Sequence, residues 1–294
     1  MIMKNFVLKG CGTAIATPFK DGRVDYEAYR VLVKRQVEAG VDFLVPLGST
    51  AETPCLSNEE KCELLRIARE LCPDIPLVAG VGTNSLMQTI ENIRLLEPFG
   101  ADAWLVVVPY YNKPTQDGIY EYFKAVAAST SKGIVAYNVP GRTGTNMTAA
   151  TALRVAEIQN VIAVKEASGN LSQIVDIIRN APEGFSVFSG NDDQTWPLMA
   201  CGAAGVISVA SNVDPVKMVA LVRAAERGDM AEAMKLNMRL VPLFKNCFVE
   251  SNPIPVKAAL AQMGFCTTEM RMPLTPATPA TVEIMKNTVK DLGL

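Results

Sequence analysis

Eight short apolar, β-branched runs recur along this chain, and each is followed by a segment of helical period. They lie at Gly12 to Pro18, Asp42 to Leu47, Pro76 to Gly82, Ala103 to Pro109, Gly133 to Val139, Val161 to Ala167, Phe185 to Gly190 and Gly205 to Ala210. Runs apolar on both faces and separated by helices are the mark of parallel strands joined by crossover helices. Eight such units, ending near Arg227, predict an α/β chain folded as a closed (β/α)8 TIM barrel, which buries every strand and leaves no edge. An open doubly wound sheet is the competing topology. Its usual dinucleotide fingerprint is missing, because Gly80-Val81-Gly82-Thr83-Asn84-Ser85 lacks the third glycine, and no acid stands at a convincing ribose position.

Helix boundaries are legible at several places. Tyr26, Tyr29, Leu32, Val33 and Val37 share one stripe, with Gly40 where a C-terminal cap belongs. Ser57 with Glu60 forms a capping box, and Asp214-Pro215 supplies a cap followed by a first-turn proline. From about Gly228 onward the pattern is helical only: around Met234, Leu240 and Leu243, then Val256 to Met263, then Val282 to Leu292. The expected division is therefore a barrel over residues 1–227 and a helical region over 228–294 packed on or beside it, with the Pro-rich stretch Met272 to Pro279 linking two helices.

The 294 residues include no histidine, which excludes His-based triads and every zinc site that uses imidazole. Twenty-eight basic against 30 acidic residues, a net charge of −2, gives no support to nucleic-acid or anionic-membrane binding. No apolar stretch approaches the ~20 residues needed to span a bilayer, and the first ten residues lack a hydrophobic signal core. Seven cysteines without a C-x-x-C pair fit reduced thiols. The expectation is a cytoplasmic protein.

A barrel of this kind carries its site at the C-terminal ends of the strands. Lys165 ends the sixth run, Val161-Ile162-Ala163-Val164-Lys165-Glu166-Ala167. Desolvated, it would be a nucleophile able to form a Schiff base with a carbonyl; the plainer alternative is a structural lysine paired with Glu166 or another carboxylate. Tyr137 ends the fifth run, and if it points inward beside Lys165 its phenol can serve in proton transfer; otherwise it is a core aromatic. Arg142, flanked by Gly141 and separated by one residue from Gly144, could hold a carboxylate or be an ordinary surface arginine. Ser49 and Thr50 end the second run with adjacent hydroxyls, which suit either a small carboxylate or simply the hydrogen bonds of a turn. Tyr110, Tyr111 and Asn112 end the fourth, facing the cavity or a subunit contact. Ser189-Gly190-Asn191-Asp192-Asp193 has no recognisable metal-ligand spacing, and no metal is expected.

Taken together, these strand ends resemble the dihydrodipicolinate synthase and N-acetylneuraminate lyase family of lysine-dependent aldolases. The motifs that carry the likeness are Gly48-Ser49-Thr50-Ala51-Glu52, Pro109-Tyr110-Tyr111-Asn112, Tyr137 through Gly144, and Val164-Lys165-Glu166-Ala167-Ser168-Gly169-Asn170, in order from Gly10 to Leu294. The resemblance implies that Lys165 condenses with pyruvate and that Tyr137, Ser49 and Tyr111 relay protons, Tyr111 from a neighbouring subunit. It further implies that Thr50 binds the pyruvate carboxylate with Ser49, and that Gly190 and Ile207 shape the pocket. Within that resemblance, an arginine at Arg142 implies aspartate 4-semialdehyde as second substrate; the family likeness further implies 4-hydroxy-tetrahydrodipicolinate as product on the diaminopimelate and lysine route, no cofactor, and a homotetramer built as a dimer of dimers.

Departures from the family pattern lie at Ala51, where glycine is usual and a positive φ would be strained, and at Ser49, where threonine is commoner. At the positions used elsewhere in the family to bind lysine, Asn84 and Tyr110 are present. Asn58, Lys61 and Gln88 replace histidines and an acid, so feedback by lysine is expected to be weak or absent. The alternatives are a retro-aldolase acting on a sugar acid or 4-hydroxy-2-oxoglutarate and, more distantly, a non-enzymatic keto-acid-binding barrel.

Overall fold

The computed structural model describes residues 7–294; residues 1–6, part of the stretch read above for a signal core, lie outside it. Eight strands make one parallel sheet: β1 (Gly10–Ala14), β2 (Phe43–Val45), β3 (Val78–Gly80), β4 (Ala103–Val107), β5 (Gly133–Asn138), β6 (Val161–Glu166), β7 (Ser186–Ser189) and β8 (Gly205–Ser208). Their bonded order is β2-β1-β8-β7-β6-β5-β4-β3. The ring closes between β2 and β3 through a parallel bridge at Leu44 and Leu77. Hydrogen bonds from Leu44 N–H to the Pro76 carbonyl and from Gly80 N–H to the Pro46 carbonyl, both 2.9 Å, complete the junction. This is the predicted (β/α)8 barrel.

Inside the ring, Phe43, Val45, Val78, Leu105, Val135, Phe188 and Ile207 form one buried cluster; a second, larger one lies between strands and helices. The Phe43 and Phe188 rings meet edge to face at 5.3 Å across the interior. Phe43 occupies that position only because residue 12 is glycine, since a Cβ there would lie 2.1 Å from the Phe43 ring.

The helices begin where caps predict. The first spans Tyr26–Glu38 behind Asp25, and Gly40 takes φ 76° after it. Ser57 caps Asn58–Leu71 with the reciprocal Glu60 contact, and Asp214 caps Pro215–Glu226. Three further helices, Met230–Asn246, Ile254–Gln262 and Pro279–Leu292, pack against one another after the eighth barrel unit. No helix among the described residues is long and apolar enough to cross a membrane, and all seven thiols are free.

Two local features differ from expectation. The first strand ends at Ala14 rather than Pro18: Ile15, Ala16 and Thr17 are buried by packing, while the chain leaves the sheet toward a proline that has no N–H to donate. A small antiparallel hairpin pairs Phe19–Lys20 with Arg23–Val24 around Asp21-Gly22, both at positive φ. Its Asp-Gly turn was a readable signal.

Candidate active site

Lys165 and Tyr137 are Cα partners across β6 and β5, so their side chains leave the sheet on the same side. Both are buried, and the Lys165 Nζ lies 4.4 Å from the centre of the Tyr137 ring. No carboxylate among the described residues comes within ion-pair distance of this ammonium. Glu166, the partner considered above, points to the opposite face. There it accepts from Asn138 Nδ2, Ser168 N–H and Gln173 Nε2, so the paired-lysine alternative is overturned by the strand's own alternation. Burial pulls the Lys165 pKa down to about 8; buried Asp192 opposes this and the Arg142 charge reinforces it. The Tyr137 pKa is raised by burial, with the Arg142 charge and the nearby Ser49 hydroxyl acting the other way.

Above this pair lies a cavity of about 50 Å³ lined by Ser49, Thr50, Tyr137, Arg142, Lys165 and Gly190, with Asn252 and Phe248 also on its wall. Six of the eight sequence-nominated residues therefore meet in one place. Gly190 contributes by having no side chain: a Cβ would sit 2.7 Å from that of Ala167 and 3.1 Å from the Lys165 Cγ. Arg142 stands exposed on the short helix Pro140–Thr143 with one hydrogen bond, from Nη2 to the Asn252 carbonyl at 3.2 Å, leaving most of its donors free.

The other two nominated residues lie elsewhere. Ile207 does not line the cavity; it belongs to the fully buried cluster inside the barrel, where its aliphatic side chain packs with Phe43 and Phe188. Tyr111 does not reach the cavity of its own chain either. It is 87 % exposed and holds φ 71°, a costly conformation for a bulky residue, with its N–H on the Thr143 carbonyl.

The strain expected at Ala51 falls one residue later. Ser49–Ala51 form a single 3-10 turn, and it is Glu52 that takes the left-handed conformation, at φ 52°. Missed altogether was Asn252, whose Nδ2 donates to Thr50 Oγ1 at 2.9 Å. It precedes the helix Ile254–Gln262, so the C-terminal region supplies part of the wall. A hollow of about 460 Å³ continues outward from the same loops, lined in part by Lys61, Tyr110 and Leu274.

A lone, desolvated amine in a small cavity, with a phenol beside it, two hydroxyls opposite and a guanidinium at the rim, is equipped to capture a small keto acid covalently. The family model described as "Dihydrodipicolinate synthetase family" matches residues 7–292. The chain belongs to the dihydrodipicolinate synthetase family. A relative named 4-hydroxy-tetrahydrodipicolinate synthase, from Thermotoga sp. (strain RQ2), is 46% identical over 293 residues, covering 98% of this chain and 100% of the relative. The synthase of Parabacteroides distasonis is 48% identical over 295 residues, covering 99% of each. The crystal structure of the dihydrodipicolinate synthase from Thermotoga maritima superposes with a TM-score of 0.96 at 45% identity, covering 98% of this chain and 99% of that one.

Proposed function

We propose that this chain is a Schiff-base-forming lyase that condenses pyruvate with aspartate 4-semialdehyde to give 4-hydroxy-tetrahydrodipicolinate, in diaminopimelate and lysine biosynthesis. The observation that carries the reading is the unpaired Lys165 amine, held in register with Tyr137 beneath Arg142. Full-length relatives of the same name support it.

The neutral Lys165 amine attacks the pyruvate carbonyl carbon, water departs, and an iminium ion forms. Ser49 and Thr50 hold the keto acid's carboxylate. Tyr137, with its Ser49 contact, takes and returns the protons of these steps. Loss of a methyl proton gives an enamine, whose carbon bonds to the aldehyde carbon while the aldehyde oxygen gains a proton. The semialdehyde's own amine then attacks the iminium carbon, closing the ring and freeing Lys165. Arg142 binds the semialdehyde carboxylate through its free donors. The iminium itself is the electron sink, so the cycle runs without a cofactor or metal.

Tyr111 completes the relay from a neighbouring subunit; its exposure and strained backbone suit a side chain that protrudes into a partner. The assembly is a homotetramer of two tight dimers in the cytoplasm. Lysine feedback is weak or absent, because Asn58, Lys61 and Gln88 leave an ammonium effector without a charged partner and Lys61 adds a like charge.

Borohydride reduction with pyruvate, followed by peptide mapping, tests the chemistry. A stable adduct on the peptide holding Lys165, abolished in Lys165→Ala, is expected. Turnover of pyruvate with aspartate semialdehyde, against cleavage of 4-hydroxy-2-oxoglutarate, tests the substrate; faster cleavage would replace the synthase reading with a retro-aldolase.

A further inference from the structure

The turn that carries Ser49 and Thr50 is held at its far end by charges that the reaction described above does not use. Glu52 closes the turn in the left-handed conformation, and its side chain is fully buried. One carboxylate oxygen accepts from the Lys257 Nζ at 2.9 Å, and the other from the Arg271 backbone N–H at 3.0 Å. Lys257 is 1% exposed and lies on the helix Ile254–Gln262, with its ammonium 4.2 Å from the Phe19 ring centre. Arg271 stacks on the same ring at 4.5 Å and grips Glu60 with both guanidinium arms at 2.6 Å.

Two attachments therefore run from this one C-terminal segment to the hydroxyl turn: Asn252 to Thr50 at its start, and Lys257 to Glu52 a helical turn later. A buried ion pair is a poor source of stability, since desolvating two charges offsets most of their attraction, and apolar residues of similar volume commonly do as well. A long side chain at positive φ adds a further cost. Both costs fall within three residues of Ser49.

We propose that Glu52 and Lys257 are positioning residues, and that their ion pair fixes the hydroxyls of Ser49 and Thr50 at the distance from Lys165 that pyruvate requires. Neither touches the substrate. They act through the backbone of the 3-10 turn, which is otherwise held by the Asn252 to Thr50 bond and by local bonds such as Thr53 Oγ1 to the Gly48 carbonyl at 2.9 Å. The inference rests on the reading of Ser49 and Thr50 as pyruvate-binding groups.

The test is the pair of variants Glu52→Gln/Lys257→Met and Glu52→Gln. The double variant strands no charge. A misplacement of about 1 Å in such groups can cost up to ~100-fold, so the double variant should show a KM for pyruvate raised about tenfold or more at a melting temperature close to that of the parent. Borohydride should still trap pyruvate on Lys165 in it at saturating pyruvate. Glu52→Gln, which keeps an oxygen for Lys257, should show a smaller rise in the same direction. A pyruvate KM and kcat equal to the parent's in the folded double variant would overturn the proposal, whatever its melting temperature; should the double variant not fold, the same result in Glu52→Gln overturns it. If Lys165 is not trapped in the parent protein, the failure belongs to the underlying reading of the site rather than to the tether.

Discussion

The reactivity proposed for Lys165 follows from where its strand puts it. With a pKa of about 8, roughly one amine in ten is neutral at pH 7, against about one in three thousand at the ordinary lysine value. Burial lowers the pKa because the ammonium is the form that loses hydration; Asp192 stabilises that form and Arg142 opposes it. The rate of pyruvate trapping should accordingly rise with pH and level off above about 8. Replacing Asp192 by Asn removes the stabilising anion, so the limb should move to lower pH, whereas Arg142→Ala should move it higher. Trapping rates across pH 6 to 10 check both signs, and two shifts in the same direction would contradict this electrostatic account. Much of the candidate site was readable at this scale because Lys165, Tyr137, Ser49, Thr50 and Arg142 stand at or just beyond strand ends, where the fold places chemistry, while Gly190 came from the family resemblance. Asn252 and Phe248 were not, since their segment showed only helical period and nothing marked it as reaching over the barrel mouth. Glu52 was hidden for another reason: its carboxylate in sequence resembles any exposed acid, and only the folded chain brings Lys257 to it.

Among elements, the strands and helices follow local chemistry closely. Periodicity located all eight strands, although burial extends beyond the hydrogen-bonded ladder at β1. Ser57 accepts from the Glu60 N–H while the Glu60 side chain accepts from the Ser57 N–H, so one residue pair satisfies two otherwise orphaned donors. Ser57→Ala should destabilise the protein by about 1 kcal/mol, read as a lower urea midpoint with an unchanged slope. Glu60 also binds Arg271, so Glu60→Ala should cost more than Ser57→Ala in the same titration. A smaller loss would show that the link to the C-terminal region adds nothing to the cap. That link could not be read from the sequence, because the two residues stand more than two hundred positions apart.

For the whole molecule, the prediction concerns where Tyr111 acts. If it serves a neighbouring subunit, mixing Lys165→Ala with Tyr111→Phe under conditions that exchange subunits should restore activity. A hybrid then holds one site with an intact lysine from one chain and an intact tyrosine from the other. No recovery in verified hybrids would place Tyr111 in its own chain's site or outside the chemistry.

Where the ring of strands closes, only one bridge and a few flanking bonds join β2 to β3, and the hydroxyl turn grows directly out of β2. Lys165 stands on β6, on the far side of the ring from that junction. Backbone amides along the junction should exchange with deuterium sooner than those of β5 and β6. Ser49 and Thr50 follow β2 by only a few residues, so that exchange map would also show whether the two hydroxyls sit on the least firmly held arc of the cylinder.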